Sequence, residues 1–348
     1  MSFFIHMCYY KKMKCVYSLL LTIFLLGPAY SGQVLSLPEI SKPQRLYIDS
    51  NQAYITEGAT VFIYSLKSGS LQTRFGKRGE GPGEFKESGE GLILHFRPDR
   101  LQVISSGRLS SFSREGEFIG EEIVSNPRRF EFQSLENRYV GTAIHPEKGR
   151  VFFTVNLFDN NLKKIKEIYR YRHPFFPRHK PINPVDVRIS SCIVYQNRIY
   201  FDDREGSIHV LDRDGVELVV IPPVSERIKI TDSHKKRYLD FWRIDLRAEY
   251  NAFRERLKFP ASFPPIRNFH IVNDRIYVIT FKESGIRSEI RVFNLRGILL
   301  KKSQAPLAGI NMLIPLLFNF YAIYKDEVYI LRENSRTEEW ELVIEKIQ

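Results

Sequence analysis

The sequence predicts an all-β chain: a six-bladed β-propeller with one helical insertion between blades four and five. Three observations carry that expectation. A unit of about 45 residues recurs, and four short strands per unit of that length build one propeller blade. The 26 Phe and 18 Tyr, with abundant Ile and Val beside only 4 Met, suit pleated strands better than helices. The last unit stops one strand short, while an unassigned strand-like segment stands before the first. Hydrophobic residues at 43% and charged residues at 26% exclude a wholly disordered chain.

The first element is an address. Lys11, Lys12 and Lys14 precede an apolar run from Cys15 to Leu26, and no acid occurs before Glu39. The run ends at Gly27-Pro28 and the small-residue stretch Ala29-Tyr30-Ser31-Gly32. Those are the three parts of a secretory signal peptide, which predicts cleavage of 1–31 and a secreted or periplasmic chain. The run falls short of the about 20 apolar residues that a spanning helix needs, so no transmembrane anchor is expected after cleavage. Removing three Lys and no acid lowers the formal charge from +12 to +9. A basic balance permits an anionic partner without demanding one. Cleavage also removes Cys8 and Cys15, leaving Cys192 flanked by apolar residues, as a buried strand residue would be.

The propeller is expected over 33–348 as one domain. Its repeat is clearest in the third strand and following turn, at 61–69, 109–116, 155–161, 208–215 and 290–297. The turn residues 69, 116, 161, 215 and 297 lie 47, 45, 54 and 82 apart, so the last gap is one period plus an insertion. A sixth copy covers 319–348 and ends after its third strand. The strand-like 34–40 is the natural fourth strand for it, closing the ring and removing its open edges.

Between the first two copies runs Arg74-Phe75-Gly76-Lys77-Arg78-Gly79-Glu80-Gly81-Pro82-Gly83-Glu84-Phe85. Gly76, Gly79, Gly81 and Gly83 permit positive φ and close backbone approach, Pro82 fixes φ in the turn, and Phe75 and Phe85 would anchor the ends between blades. A phosphate loop would instead need Gly-Lys-Ser/Thr opening a helix, which is missing. The stretch resembles the F-G-x-x-G-x-G-P-G-E-F connection of NHL-like six-bladed propellers. The resemblance implies a link from the outer strand of one blade to the inner strand of the next. The whole chain looks most like secreted bacterial members of that group, whose motif specifies architecture and not activity. RNA-binding NHL repeats carry V-x-D-x-x-N-x-R-I. Here 103–111 lacks the Asp and Asn, so no nucleic acid is expected.

Two segments depart from the repeat. In 231–265, Tyr238, Trp242, Leu246, Tyr250, Phe253 and Leu257 form a helical stripe, capped at 231–233 and ended by Pro260. The opposite face is basic, with Lys235, Lys236, Arg237, Arg243, Arg247, Arg254 and Arg256. In 169–181, bases alternate with aromatics around three prolines, which predicts a long exposed loop. Arg172, Arg178, His179 and Lys180 could hold carboxylates, sulfates or phosphates, with Tyr171 and Phe175 or Phe176 as stacking faces. Lys236 and Arg243 join them as candidate ligand contacts if loop and helix share one rim, as insertions on the binding face of a repeat array do.

No catalytic constellation is visible. The histidines form neither H-x-H nor H-E-x-x-H, and no G-x-S-x-G occurs. Asp202-Asp203 reads as a turn. No cofactor, metal or catalytic residue is assigned. The expected function is a secreted or periplasmic non-catalytic binding propeller, with a protein, peptide or anionic glycan at one face. The alternative is a metal-dependent hydrolase or lyase, lactonase-like or amidating-lyase-like, whose ligands lie scattered over the blades. A sugar-polymer lyase or glycan binder using the basic loop stands behind both.

Overall fold

The computed structural model describes residues 32–86, 91–105, 108–123, 132–148, 150–172, 181–185, 192–223, 225–244, 247–309 and 319–347. The side chains of Ile144, Arg150, Arg172, Ala248 and Glu249 also lie outside that description, as does the expected leader 1–31. Among the described residues no helix is long and apolar enough to cross a membrane.

Strand β1 (Gln33–Leu37) comes first, followed by blade one: β2 (Arg45–Asp49), β3 (Gln52–Glu57), β4 (Thr60–Ser65) and β5 (Leu71–Phe75). Blade two is β6 (Ile93–Phe96), β7 (Leu101–Ser105), β8 (Arg108–Phe112) and β9 (Phe118–Ile123). Blade three is β10 (Phe132–Leu135), β11 (Arg138–Glu147), β12 (Arg150–Phe158) and β13 (Lys164–Arg172). Blade four is β14 (Cys192–Tyr195), β15 (Arg198–Asp202), β16 (Ile208–Leu211) and β17 (Glu217–Ile221). Helices α1 (Asp232–Ile244) and α2 (Arg247–Phe253) follow, then a 3-10 turn over Arg254–Arg256. Blade five is β18 (Asn268–Val272), β19 (Arg275–Ser284), β20 (Arg287–Asn294) and β21 (Leu299–Ala305). Blade six is β22 (Tyr321–Tyr324), β23 (Glu327–Glu333) and β24 (Trp340–Lys346).

Six four-stranded antiparallel sheets result, and the inner strands β2, β6, β10, β14, β18 and β22 touch in sequence, β22 returning to β2. The chain is a six-bladed β-propeller. All five third-strand segments read from the repeat are third strands. The strand at the start of the chain is the missing fourth strand of blade six, with Gln33 opposite Ile344 and Leu37 opposite Trp340.

Apolar cores sit between every pair of neighbouring blades, because successive residues of each strand face opposite sides. Phe75 and Phe85 meet Leu94 and Phe112 between blades one and two, as their spacing predicts. Cys192 is buried between blades three and four with Leu135 and Leu157. Polar clamps stitch the inner ring. Gln133 accepts from Val194 N–H at 2.6 Å and donates to the Cys192 carbonyl at 2.6 Å. Asn268 donates to the Tyr321 hydroxyl at 2.7 Å, and Arg114 reaches across from blade two to Asp49 at 2.6 Å.

The turn between third and fourth strands explains why the repeat ends in Gly. The N–H of Gly116, Gly215 and Gly297 donates to the carbonyl three residues earlier at 2.9–3.1 Å, and the strand pair takes a bulge there. This is the three-residue hairpin whose last position lies in the left-handed region. In blade three that position is Leu162 at φ 58°, not Asn161 as the repeat suggests. Leu162 tolerates it because its side chain is buried with Leu109, Phe132, Tyr139 and Phe158.

Two hairpins break the outline. Strand β11 runs six residues past Gly141, the partner of inner Phe132, and β19 runs five past Ile279, the partner of inner Asn268. At about 3.3 Å per residue they reach roughly 16–20 Å beyond the inner strands.

Candidate functional site

In each blade four antiparallel strands leave and return to one rim, so every blade-to-blade connection lies on the same side as the turn between second and third strands. The segment before β14 and the insertion before β18 therefore share a rim by topology, as do the two projecting hairpins. A direct joint confirms it: Ile182 pairs in parallel with Leu257. The Ile182 N–H donates to the Arg256 carbonyl at 2.7 Å and the Lys258 N–H to the Ile182 carbonyl at 2.9 Å. Val185 is buried beneath the insertion with Tyr238, Trp242, Phe263 and Phe281.

The insertion starts where the sequence places its cap. The Thr231 hydroxyl accepts from the His234 N–H at 3.3 Å, and His234 Nδ1 accepts from the Thr231 N–H at 3.1 Å. That reciprocal pair is a capping box with His in the usual place of Glu. The single helix expected over 231–257 is two helices and a 3-10 turn. At 100° per residue, Leu257 would lie about 100° around a straight helix from Tyr238, so one axis cannot point both at the core. Tyr238 and Trp242 are buried, while Tyr250, Phe253 and Leu257 are half-buried around the same cluster.

The predicted ligand residues divide. Phe175, Arg178, His179 and Lys180, with the side chain of Arg172, lie outside the described residues. Tyr171 belongs to β13 rather than to a loop, because the fourth strand extends along the projecting hairpin and pairs Phe153 with Tyr171. Its ring is 5.3 Å from Phe153, and the Arg204 guanidinium covers it at 4.4 Å. Lys236 and Arg243 are exposed on α1 and share one carboxylate, Asp240, at 2.8 and 2.7 Å.

Behind Tyr171 the aromatic stack continues across the joint between blades three and four. Tyr169 lies 4.5 Å from Phe201, and Phe201 stacks on His209 at 5.0 Å with planes 2° apart. His209 is gripped from both nitrogens, by Glu217 at 2.6 Å and Asp203 at 3.4 Å. Asp203 is the turn residue expected: its Oδ1 accepts the N–H groups of Glu205, Gly206 and Ser207 at 2.8–3.0 Å. Arg204 sits at φ 70°, a left-handed conformation that carries strain in a non-glycine residue and aims the guanidinium back over Tyr171. Nothing in the repeat pattern flagged Arg204. Its signal is a non-glycine residue just before Glu205-Gly206 in a tight turn. Arg170 lies over Phe152 at 4.9 Å and holds Glu147 and Glu167, tying the hairpin tip to the outer strand. Those two carboxylates raise the Arg170 pKa, and Arg170 with Lys164 lowers that of Glu167.

Charge singles out this rim. Residues 225–267 hold eleven Lys or Arg against six Asp or Glu, and 169–185 hold four against none. Their excess of nine equals the whole net charge of +9 from residue 32 onward, so the rest of the ring is balanced. The acids on α1 are engaged: Asp232 pairs with Lys235 at 2.8 Å, and Asp240 holds two cations. Among the described residues no three His, Cys, Asp or Glu side chains come together as a metal-holding group.

The glycine loop turns inward, away from this role. Gly76 and Gly83 take φ 81° and 71°. Gly79 and Gly81 do not take positive φ; their close approach is to the Glu84 side chain. The Glu84 carboxylate folds over the loop, accepting the Gly81 N–H at 2.9 Å and pairing with Lys77 at 2.9 Å. A Cβ on Gly79 would fall 1.9 Å from its Oε2. Those partners hold the Glu84 carboxyl below its ordinary range.

No family model and no curated protein matches the chain. Solved structures match in outline only. A computationally designed protein, Ika8, has TM-score 0.39 and 10% identity over 91% of this chain and 100% of its own. KlHsv2, with loop 6CD replaced by a Gly-Ser linker, has TM-score 0.40 and 9% identity over 84% and 74%. BamB from Moraxella catarrhalis has TM-score 0.36 and 11% identity over 87% and 84%.

Proposed function

We propose that the chain is a non-catalytic binding propeller that receives an anionic glycan or peptide on the rim above blades three to five. In this reading it works outside the cytoplasm, after cleavage of its leader. One observation carries the proposal: the whole net charge of +9 from residue 32 onward falls in two sequence segments, 169–185 and 225–267, which meet where Ile182 pairs with Leu257, on the side of the two long hairpins. A ring of sheets that carries its charge in the connections suits recognition, since binding residues concentrate on loops held by a scaffold. Kinship with NHL-like propellers belongs to the same proposal. It is supported by the place of the glycine loop between β5 and β6 and by the anchoring of Phe75 and Phe85.

The test is a salt titration of the mature chain against a sulfated polysaccharide, a polyuronate and polyglutamate. The comparison is an Arg172→Ala, Arg178→Ala, Lys180→Ala variant. Affinity should fall with ionic strength, and the variant should bind about ten- to a hundredfold more weakly, at up to about 1 kcal/mol per exposed contact. Equal binding by both proteins, or none at low salt, refutes the reading.

A further inference from the structure

Beside the projecting hairpin of blade five lies a cleft of about 350 Å³ whose walls include Lys282, Glu283, Arg287, Glu289 and Lys302. We propose that it is a site for a doubly charged oxyanion, a sulfate or phosphate group, free or as a monoester, held between Lys282 and Lys302 with Arg287 behind. Lys282, Arg287 and Lys302 lie outside the two charged segments of the rim reading, so the two are tested separately.

The carboxylates around the cleft are already matched. Glu283 is held by Arg237 at 2.9 Å and Arg267 at 3.4 Å, Glu289 by Arg291 at 2.8 Å, and the buried Glu345 by Arg287. That leaves the lysines. Lys282 is exposed and pairs at 3.6 Å with Glu289, a carboxylate that Arg291 also holds. Lys302 is exposed and has no ion pair among the described residues. It stands directly opposite Arg291 in the β20–β21 register. Like charges directly across an antiparallel pair are destabilising; Glu289 offsets the charge of Arg291 and leaves that of Lys302.

The count decides the class of ligand. Six cations (Arg237, Arg267, Lys282, Arg287, Arg291 and Lys302) surround Glu283, Glu289 and Glu345, an excess of three. A single carboxylate would answer one of these, whereas sulfate or phosphate answers two and offers oxygens to both lysines. The cleft is within the size range of small-molecule sites, leaving room for a sugar or alkyl group on an ester oxygen.

Sulfate, phosphate, glucose 6-sulfate and glucose 6-phosphate should be titrated calorimetrically into the mature wild type, Lys282→Ala/Lys302→Ala and the Arg172/Arg178/Lys180 triple variant. Chloride at matched ionic strength is the control, since sulfate and phosphate also stabilise proteins generally. The double variant should lose at least tenfold in affinity while the triple variant binds as wild type. Lys302→Ala alone should melt in chloride no lower than wild type, because it removes a repulsion, yet lose the oxyanion-dependent rise in melting temperature. Binding of the esters but not the free ions assigns the sugar a share of the site. Equal heats for wild type and double variant, or no heat from any probe, overturns the proposal. Polymer binding unaffected in the triple variant, with oxyanion binding lost only in the double variant, would fail the rim reading and leave this cleft standing.

Discussion

Gly76→Ala tests whether the glycine loop is a structural joint. Gly76 sits at φ 81°, where an L side chain costs about 1–2 kcal/mol. Its added Cβ would lie 2.6 Å from the Ala59 carbonyl oxygen and 2.6 Å from Cε2 of Phe85. Neither neighbour yields easily. The first is backbone, and the second is a buried ring 5.8 Å from Phe112, which packs at 4.4 Å on Phe75. Forcing the ring aside is overpacking, at about 1–3 kcal/mol. The sum is about 2–5 kcal/mol, or a fall in melting temperature of about 4–10 °C at about 2 °C per kcal/mol for a large domain. Gly81→Ala is the control. Its φ is ordinary, and its Cβ would meet only the swinging end of Glu84 at 3.1 Å, so it should cost under about 1 kcal/mol. Thermal and urea melts by circular dichroism would decide. A Gly76→Ala protein melting within 1 °C of wild type, on the order of the error in such ΔΔG estimates, refutes the steric reasoning. So does a larger loss from Gly81→Ala.

Burial lowers the pKa of His95 to about 3, aided by Arg97 and Arg45, and that of His270 to about 4. Both are neutral when folded but protonate near 6.5 when unfolded, so their stabilisation is complete above that pH and is lost as pH falls toward 4. At pH 5 each loss is about 2 kcal/mol, and His95→Gln should flatten the fall in urea midpoint between pH 7.5 and 5. Arg114→Ala removes the Asp49 pair, a bond to the Arg97 carbonyl and the cover over Phe96, and should cost about 1.5–3 kcal/mol in the same melts. Leu162→Gly should be less damaging than Leu162→Ala by about 1 kcal/mol, because glycine also relieves the left-handed φ; the opposite order would show that the turn carries no strain.

The blades were legible because a β-strand writes its period and its turn into sequence. Val61, Leu109, Val155, Ile208 and Ile290 each open or sit within a third strand, and the Gly after four of these marks a backbone position that favours glycine. Leu162 shows the limit: tertiary burial kept a leucine where the pattern asks for glycine, and the turn was misplaced by one residue. The insertion was legible as helical at Tyr238 and Trp242, where the stripe meets the core. Its break was hidden because a 4-4-4 spacing looks continuous while drifting off a 3.6-residue turn. The shared rim needed no coordinates, since four antiparallel strands per blade impose it. Tyr171 was misread because a hairpin that outgrows its blade recruits loop-like sequence into strand. Lys282, Lys302 and Arg204 left no periodic signal, since their meaning lies in what faces them across neighbouring strands.

The strap formed by β1 has a mechanical consequence. Gln33 lies opposite Ile344, so the first and last described strands enter and leave the ring at one corner of blade six, where Gly32 has no room for a side chain against the Ile344 carbonyl. A load drawn between the start of β1 and the end of β24 peels the two strands apart one rung after another, each rung bearing the full force in turn. The same load drawn between β1 and the far end of blade six would instead shear all five residue pairs together. The ring is therefore soft toward tension drawn between those two strand ends, with five residue pairs as the seam that opens first.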